Sequence, residues 1–350
     1  MFQPLQILIC FALISCFVVL EMAAEKQLIV VSLPEDKYYK KSRDDIAQFV
    51  KDLAAAASDK DDVLVLFPSK FMSSDGSYGG FDFGDAYVLP VDESIDLWMR
   101  DFGLVSPYKP VKFIYGSDYL SRSDARYVDN SFRKLLSRYG GFPKESRLIL
   151  DGGNVVDNGV DKAIITDRFY YDNPKQDETV LRKEVEAALD MTVAIIPDPR
   201  DTTGHADGVV SFIDTNVLAI GDYCDAKYYK LVKEAVEEIF PDLTIVKVPC
   251  MDDGKSKPTK SPNWRGFSSS VGSYVNSLLT DSTVYVPQFN KADNDQIALD
   301  IVQKNTHRRV VTVDTSRLSH MGGSVRCMSW QISSSDPLAK ALLKAAKQSK

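Results

Sequence analysis

Cys327 is the residue of this chain best suited to nucleophilic chemistry. It follows the pair Gly322–Gly323 by four residues, in the segment Gly-Gly-Ser-Val-Arg-Cys. Glycine permits a tight turn, and the alternation of apolar and polar residues after it predicts a short strand over 324–330. A thiolate beside such a turn could attack an electrophilic carbon. A cysteine is more often a small buried apolar residue. The residues that surround Cys327 in space must therefore decide between a catalytic and a structural role.

Other segments carry residues that could work with a thiolate. His205 and Asp207 stand in Thr-Gly-His-Ala-Asp, and their spacing brings both side chains to one side of an extended segment. Asp101 ends the segment Trp-Met-Arg-Asp, which begins at Trp98. An internal ion pair between Arg100 and Asp101 is the alternative explanation for that segment. The remaining candidates are Asp151, in Asp-Gly-Gly-Asn at a predicted strand end, and Asn276.

Together these residue types suggest a site for a cationic substrate. A thiolate and a histidine form a nucleophile and base pair. Two further carboxylates can clamp a guanidinium through its planar set of donors, while an indole stacks on its face. Zinc bound by Cys327, His205 and Asp207 is an alternative, but no C-x-x-C or H-x-x-x-H pair supports it. We therefore expect no metal.

The chain has two further histidines. His307 lies in a charged segment at the end of a predicted helix, and His320 lies beside the glycine turn.

The N-terminus has the pattern of a targeting segment. Residues 7–20 are almost wholly apolar, and Met22-Ala-Ala24 offers small residues for cleavage. We predict a signal peptide over 1–24, a single catalytic domain over 25–350, and a product that is secreted or held in the lumen of the secretory pathway. An uncleaved anchor is the alternative. The mature chain would keep three cysteines, so at least one thiol is free or pairs between molecules, and a Cys224–Cys250 disulfide is one possibility.

Charge limits the range of partners. The 350 residues carry a formal net charge of −7 and contain no extended lysine or arginine block. Nucleic-acid binding requires a basic surface, so we exclude that partner. We also predict no membrane association after signal cleavage.

Short strands and helices alternate along the whole chain. Strands are predicted over 27–33, 62–67, 111–115, 162–166, 193–196, 244–248, 273–276 and 310–313, among others, and 208–213 with 216–221 predict a hairpin. Helices are predicted over 37–57, 123–139, 179–189, 226–240, 294–304 and 338–347. No linker divides the chain, which indicates one α/β domain of repeated units.

Six segments, in this order along the chain, resemble the family of agmatine deiminases and bacterial (Porphyromonas-type) peptidylarginine deiminases. They are Trp98-Met-Arg-Asp101, Asp151-Gly-Gly-Asn154, Gly204-His-Ala-Asp207, Ser273-Tyr-Val-Asn276, Val286-Pro-Gln-Phe289 and Gly322-Gly-Ser-Val-Arg-Cys327. The resemblance covers roughly 28–332. It implies the α/β pentein fold of the guanidine-modifying superfamily, with five ββαβ units in a pseudo-fivefold propeller.

The resemblance also implies roles for the candidate residues. Asp101 and Asp207 would hold the substrate guanidinium while Cys327 attacks its central carbon. His205 would protonate the departing ammonia and then activate water to hydrolyse the covalent thiouronium. Asn276 would orient substrate or thiolate, and Trp98 would pack along the substrate stem. No cofactor is implied.

The identity of the substrate depends on finer differences within the family. Agmatine deiminases usually have Glu-Gly-Gly where this chain has Asp151-Gly-Gly. This difference and the signal segment favour peptidyl-arginine, most plausibly with a C-terminal arginine, as the substrate. Arg122 and Arg126 are candidates to bind its carboxylate. The main alternative is a small guanidino substrate, agmatine, converted to N-carbamoylputrescine. An amidinotransferase or a Cys-His-Asn peptidase is a further alternative.

Overall fold

The computed structural model describes residues 25–117, 119–199, 203–222, 225–250 and 269–349, and the backbone of 260–261 and 264–265. The predicted signal segment 1–24 and Cys224 lie outside these residues. The question of a Cys224–Cys250 disulfide therefore lies outside them as well.

Short strands and amphipathic helices alternate through the described chain. The strands are β1 (Gln27–Ser32), β2 (Asp62–Pro68), β3 (Tyr87–Val91), β4 (Val111–Ile114), β5 (Lys144–Ile149), β6 (Val156–Asp157), β7 (Lys162–Thr166), β8 (Thr192–Ile196), β9 (Val210–Asp214), β10 (Val217–Gly221), β11 (Thr244–Val248), β12 (Lys260–Ser261), β13 (Trp264–Arg265), β14 (Leu278–Leu279), β15 (Thr283–Gln288), β16 (Arg309–Asp314) and β17 (Trp330–Ser333). The helices are α1 (Arg43–Ala57), α2 (Met99–Phe102), α3 (Arg122–Arg138), α4 (Arg168–Asp172), α5 (Glu178–Leu189), α6 (Ala226–Ile239), α7 (Ala292–Lys304) and α8 (Pro337–Gln348).

A strand–helix–strand unit with parallel strands recurs in the described sheets. It is formed by β1–α1–β2, β4–α3–β5, β7–α5–β8, β10–α6–β11 and β15–α7–β16. In four of these sheets an additional strand pairs antiparallel with the first: β17 with β1, β6 with β7, β9 with β10 and β14 with β15. The predicted mixed α/β architecture of repeated units is confirmed at this level. The pairing of β17 with β1 joins the two ends of the described chain in one sheet.

Local sequence explains why these elements form. Every residue of β1 is buried, as expected for a strand covered on both faces. Helix α1 presents Ile46, Val50 and Leu53 to the same apolar cluster, and each such side chain contributes about 1.5–3 kcal/mol when it leaves water. Asp177 and Asp336 cap α5 and α8 by accepting hydrogen bonds from backbone N–H groups of the first turn.

Two predicted strands are turns instead. The segment 324–330 curls, with the N–H of Met328 donating to the carbonyl of Ser324, and β17 begins only at Trp330. The segment 273–276 is also a turn, since the N–H of Asn276 donates to the carbonyl of Ser273. In both places side-chain and turn hydrogen bonds take backbone groups that a strand would need. None of the described helices combines the length and the apolar character needed to cross a membrane.

Candidate active site

One cavity of about 220 Å³ brings most of the candidate residues together. The loops that line it belong to different strand–helix–strand units, so residues distant in sequence meet there. Its lining includes Trp98, Asp101, Tyr119, Thr203, His205, Asp207, Cys250, Ser273, Asn276, Met321, Gly322, Gly323 and Cys327. The pocket has the concave, mixed polar and apolar character of small-molecule sites.

Asn276 holds the nucleophile segment in its curled form. Its side-chain Oδ1 accepts hydrogen bonds from the backbone N–H groups of Ser324 and Cys327, both at 3.2 Å. Its Nδ2 donates to Cys327 Sγ at 3.0 Å and to the carbonyl oxygen of Asp207 at 3.2 Å. One buried amide therefore positions the thiol, stabilises its charged form and ties it to the loop that carries Asp207.

His205 lies between two carboxylates. Its Nε2 is 3.3 Å from Asp151 Oδ2, and its Nδ1 is 3.6 Å from Asp101 Oδ1. Tyr119 donates a hydrogen bond of 2.6 Å to Asp101 Oδ2. The other oxygen, Oδ1, is buried and accepts no hydrogen bond from the described residues. That oxygen is therefore available to a donor group that enters the cavity.

Asp207 is the second carboxylate close to the thiol. Its Oδ2 lies 3.7 Å from Cys327 Sγ and accepts a hydrogen bond of 3.0 Å from Arg326 Nη1. Arg100 does not form the ion pair with Asp101 that its position suggested, because its Nη2 donates to Gln331 Oε1 at 2.9 Å.

The Asp-Gly-Gly-Asn segment acts as a close-packed support for this site. A Cβ at Gly153 would approach both His205 Nδ1 and Asp101 Oδ1 more closely than 3.0 Å, and one at Gly152 would collide with the Arg100 carbonyl. Asn154 Oδ1 accepts hydrogen bonds from the N–H groups of Thr166 and Ala206, at 2.9 and 3.1 Å. These contacts fix the loop of His205 against the loop of Asp151.

The anionic surroundings alter the titration of the central residues. Burial by itself would lower the pKa of His205, but the Asp101 and Asp151 carboxylates outweigh it and raise that pKa to about 10. Burial raises the pKa of Asp101 to about 7, although the His205 charge opposes the change. Burial, with the Asp207 and Asp101 carboxylates, raises the pKa of Cys327. The cavity thus holds a histidinium and favours the neutral thiol until another cation enters.

Arg122 and Arg126 lie outside this group. They occupy the exposed start of α3, where Arg126 Nε donates to the Arg122 carbonyl, and neither is among the described residues that line the cavity. A role for them in substrate binding stays a prediction. His307 and His320 are exposed. Within the described ranges, no three His, Cys, Asp or Glu residues are grouped to hold a metal ion.

Sequence reasoning missed two residues of the site. Tyr119 follows β4 in a segment without a recognisable pattern, and only the folded chain brings its hydroxyl to Asp101. Arg326 stands inside the Gly-Gly-Ser-Val-Arg-Cys segment but gave no sign of its partner. Its contact with Asp207 joins residues 119 positions apart.

Protonation of His205 predicts how stability depends on pH. A raised folded-state pKa stabilises the folded protein fully below the unfolded value of 6.5, and this contribution is lost as pH rises through about 10. His205→Asn should therefore flatten the decline in the free energy of unfolding between pH 7 and 10. Denaturant titrations of wild type and His205→Asn at several pH values measure the free energy of unfolding. Parallel curves for the two proteins would contradict the assignment.

Gly153→Ala is expected to damage the site more than the fold. The new methyl group must displace His205 or Asp101, and a shift of about 1 Å in reacting groups can cost about 100-fold in rate. Turnover and thermal unfolding should be measured together. Gly140→Asn is the matched control, because space beside Gly140 is open and asparagine tolerates its φ of 72°. Equal activity of Gly153→Ala and wild type would show that the contact relaxes without consequence.

A thiol, a histidine and paired carboxylates around a small cavity define a site for nucleophilic attack on a bound cation. The chain belongs to the Porphyromonas-type peptidyl-arginine deiminase family, whose model matches residues 19–333. Members of this family are hydrolases that act on carbon–nitrogen bonds of linear amidines. The family resemblance predicted from the six segments is confirmed.

Individual relatives are distant and bacterial. Candidate agmatine deiminases of Streptococcus mutans and Lactococcus lactis are 24% and 26% identical to this chain over 215 and 288 residues. These alignments cover 54% and 70% of this chain. They span 58% of the Streptococcus protein and 78% of the Lactococcus protein.

Solved structures share the fold. The C. jejuni agmatine deiminase is 21% identical with a TM-score of 0.69, and that of Enterococcus faecalis is 18% identical with a TM-score of 0.66. Each comparison covers 88% of this chain and 94% of the other. A dimethylarginine dimethylaminohydrolase is also similar, at a TM-score of 0.51. The mixed α/β fold is therefore of the pentein type.

Proposed function

We propose that this protein deiminates a small guanidino compound, agmatine or a close analogue, to a ureido product and ammonia. The observation that carries the proposal is the position of Cys327 Sγ. It lies 3.7 Å from Asp207 and in the same cavity as Asp101 and His205. A guanidinium held between the two carboxylates would present its central carbon to the sulfur.

The reaction follows from the charges of the cavity. The substrate cation offsets the carboxylates that disfavour the Cys327 thiolate, so the thiol releases its proton to solvent and the thiolate forms a bond to the central carbon. Protonated His205 donates its proton to the departing nitrogen, and ammonia leaves. The neutral imidazole next removes a proton from water, and the resulting hydroxide attacks the thiouronium carbon. Cleavage of the carbon–sulfur bond restores the thiolate, and the ureido product leaves after its hydroxyl proton passes to solvent, where it offsets the proton that ammonia takes up.

Two observations favour a small substrate over the peptidyl-arginine predicted first. The two bacterial sequence relatives and two of the three solved structures reported above carry the name of agmatine deiminases. Among the described residues that line the cavity there is no lysine or arginine to pair with a substrate carboxylate. Arg122 and Arg126 are not among these lining residues. Peptidyl-arginine therefore has less support than agmatine.

The test is a substrate panel with wild-type protein. Agmatine, free arginine and a peptide with C-terminal arginine are incubated separately, and ammonia and a mass gain of about 1 Da are measured by coupled assay and mass spectrometry, with Cys327→Ala as control. We expect kcat/KM for agmatine to exceed that for the peptide by at least about tenfold, because an unpaired carboxylate would be buried. The reverse ranking would restore peptidyl-arginine as the substrate.

The same panel distinguishes the other reactions. An amidinotransferase would release little ammonia unless an amine acceptor were present, and a peptidase would give shortened peptides. Absence of any ureido product from all three compounds would refute the proposed deiminase activity.

We also propose the finer features for which the sequence argues. The five strand–helix–strand units would surround the cavity as ββαβ blades of a pseudo-fivefold propeller, which is consistent with site residues that come from different units. Residues 1–24 would be cleaved and the protein secreted. N-terminal sequencing of protein recovered from the medium of expressing cells tests the second proposal, and retention of residues 1–24 would oppose it.

A further inference from the structure

Arg326 lies behind the cavity and contacts one of its carboxylates. Its side chain is 7% exposed and is absent from the described lining of the cavity, although it adjoins Cys327. Nη1 donates to Asp207 Oδ2 at 3.0 Å, and Nη2 donates to the carbonyl of Val155 at 2.6 Å. Its backbone N–H donates to the Asn276 carbonyl at 3.3 Å. Both terminal nitrogens of the guanidinium, Nη1 and Nη2, therefore donate hydrogen bonds to protein oxygens.

We propose that Arg326 is a positioning residue that holds the Asp207 carboxylate in place for a substrate guanidinium. This inference rests on the proposed function, because it assigns Asp207 to the binding of a cation. The protein's own guanidinium binds the rear of the carboxylate, and the substrate's guanidinium would approach from the cavity.

The need for such a residue follows from the density of negative charge. The charged and titratable groups that interact with Asp207 are Asp101, His205, Arg100, Cys327 and Arg326, and Asp157 is a further carboxylate near Arg326. Asp207 is 2% exposed, so water cannot compensate a charge on it. A buried carboxylate is stable only when it is paired and hydrogen-bonded. The ion pair with Arg326 supplies that partner and fixes the position of the carboxylate.

Arg100, the other buried arginine of this region, cannot replace it. Its described side-chain hydrogen bond goes to Gln331 rather than to a carboxylate of the cavity. Burial and the nearby Arg326 charge lower the pKa of Arg100 to about 9. Arg326 therefore makes the only described ion pair with Asp207. A lysine in its place could supply charge but not the simultaneous bonds to Asp207 and Val155.

The experiment compares Arg326→Gln and Arg326→Lys with a matched control, Arg308→Gln. Arg308 is also largely buried, but its carboxylate partners are Asp214, at 3.6 Å, and Asp281, at 4.0 Å, and neither is among the described residues lining the cavity. For each protein, kcat and KM for agmatine are measured from pH 5 to 10. Alkylation of the Cys327 peptide by iodoacetamide is followed over the same range by mass spectrometry, with and without millimolar guanidinium chloride. Thermal unfolding reports loss of structure.

We expect Arg326→Gln to lower kcat/KM by about 100-fold. The pH profile of Cys327 alkylation should move to higher pH, because the thiolate loses a nearby cation. Guanidinium should protect Cys327 at least about tenfold less well. Arg326→Lys should lie between Arg326→Gln and wild type. It keeps the test valid if the glutamine variant does not fold. Arg308→Gln should lose stability without these changes.

Each adverse result has a distinct meaning. If guanidinium protection and the pH profile of alkylation were unchanged in both Arg326 variants, the positioning role would be overturned, even if their thermal stability fell. If wild type deiminates none of the panel compounds, the proposed function fails. The pH profile of alkylation then still decides on Arg326, because a loss of its charge should move that profile to higher pH relative to Arg308→Gln. An unmoved profile would overturn the inference.

Discussion

Cys327→Ala is expected to reduce ammonia release by roughly 10⁶-fold, the scale seen when a covalent nucleophile is removed. The guanidinium carbon is a weak electrophile, and water in the same cavity lacks the polarisable sulfur that splits the reaction into two easier steps. Substrate binding should persist, because the carboxylates of Asp101 and Asp207 remain. Turnover assays and calorimetric binding of agmatine to the variant measure the two effects separately.

A conservative replacement, Cys327→Ser, tests the need for sulfur more specifically than alanine does. Cys327→Ser keeps the approximate size of the side chain and an acceptor for the Asn276 amide, but a hydroxyl is far harder to ionise than a thiol. It should be as inactive as the alanine variant while unfolding within about 1 kcal/mol of wild type. Wild type quenched in acid during turnover should carry the mass of a thiouronium adduct on Cys327. Ammonia release by either variant at more than about one hundredth of the wild-type rate would exclude the covalent mechanism.

The membership of the cavity could be predicted from sequence because residue types and their order remain visible in the chain. Cys327, His205, Asp101 and Asp207 each stand beside a glycine, an aromatic residue or a second polar residue that marks the segment. The cavity contains all four. The spacing cannot reveal which side chain meets which. Asn276 bonds to Cys327 across 51 positions, and that contact decides the backbone conformation of the nucleophile segment.

The same reason explains the incorrect strand over 324–330. Alternating apolar and polar residues satisfy a strand pattern, and Met328 and Trp330 are indeed buried. A single amide oxygen from Asn276 competes for two backbone donors of the segment and bends it into a turn. Local pattern describes what a segment can bury, whereas a distant polar side chain decided its shape. The curled segment places the thiol next to Asn276 and Asp207 together.

The substrate was harder to predict from the sequence for a related reason. The sequence offered Arg122 and Arg126 as cations in about the right region, and both lie on the exposed start of α3. A helix start of this kind is set by its cap, Ser121, which accepts a hydrogen bond from the N–H of Asp124. Arg122 and Arg126 lie on the solvent-exposed side of α3. The choice between agmatine and a carboxylate-bearing substrate therefore rests with the substrate panel.

His205→Asn is expected to slow deimination of agmatine by about 10³- to 10⁴-fold, because one imidazole serves both halves of the reaction. It must protonate the departing nitrogen, because an unprotonated amide anion is a poor leaving group, and it must later deprotonate water. Its contacts with Asp101 and Asp151 keep it charged for the first task. Steady-state assays near pH 8 measure the loss. His320→Asn, at an exposed histidine near the same glycine turn, is the matched control and should remain active.

An S-methylisothiourea analogue of agmatine separates the two roles. Methanethiolate leaves without a proton from the enzyme, so the first step should proceed in His205→Asn and release about one equivalent of methanethiol per Cys327. The second step still needs a base, and the thiouronium adduct should therefore accumulate on Cys327 and be visible by mass spectrometry. Continuous turnover of the analogue would assign water activation to another group. Absence of the burst would mean that His205 is needed to form the adduct itself, through its hold on Asp101, rather than only to transfer protons.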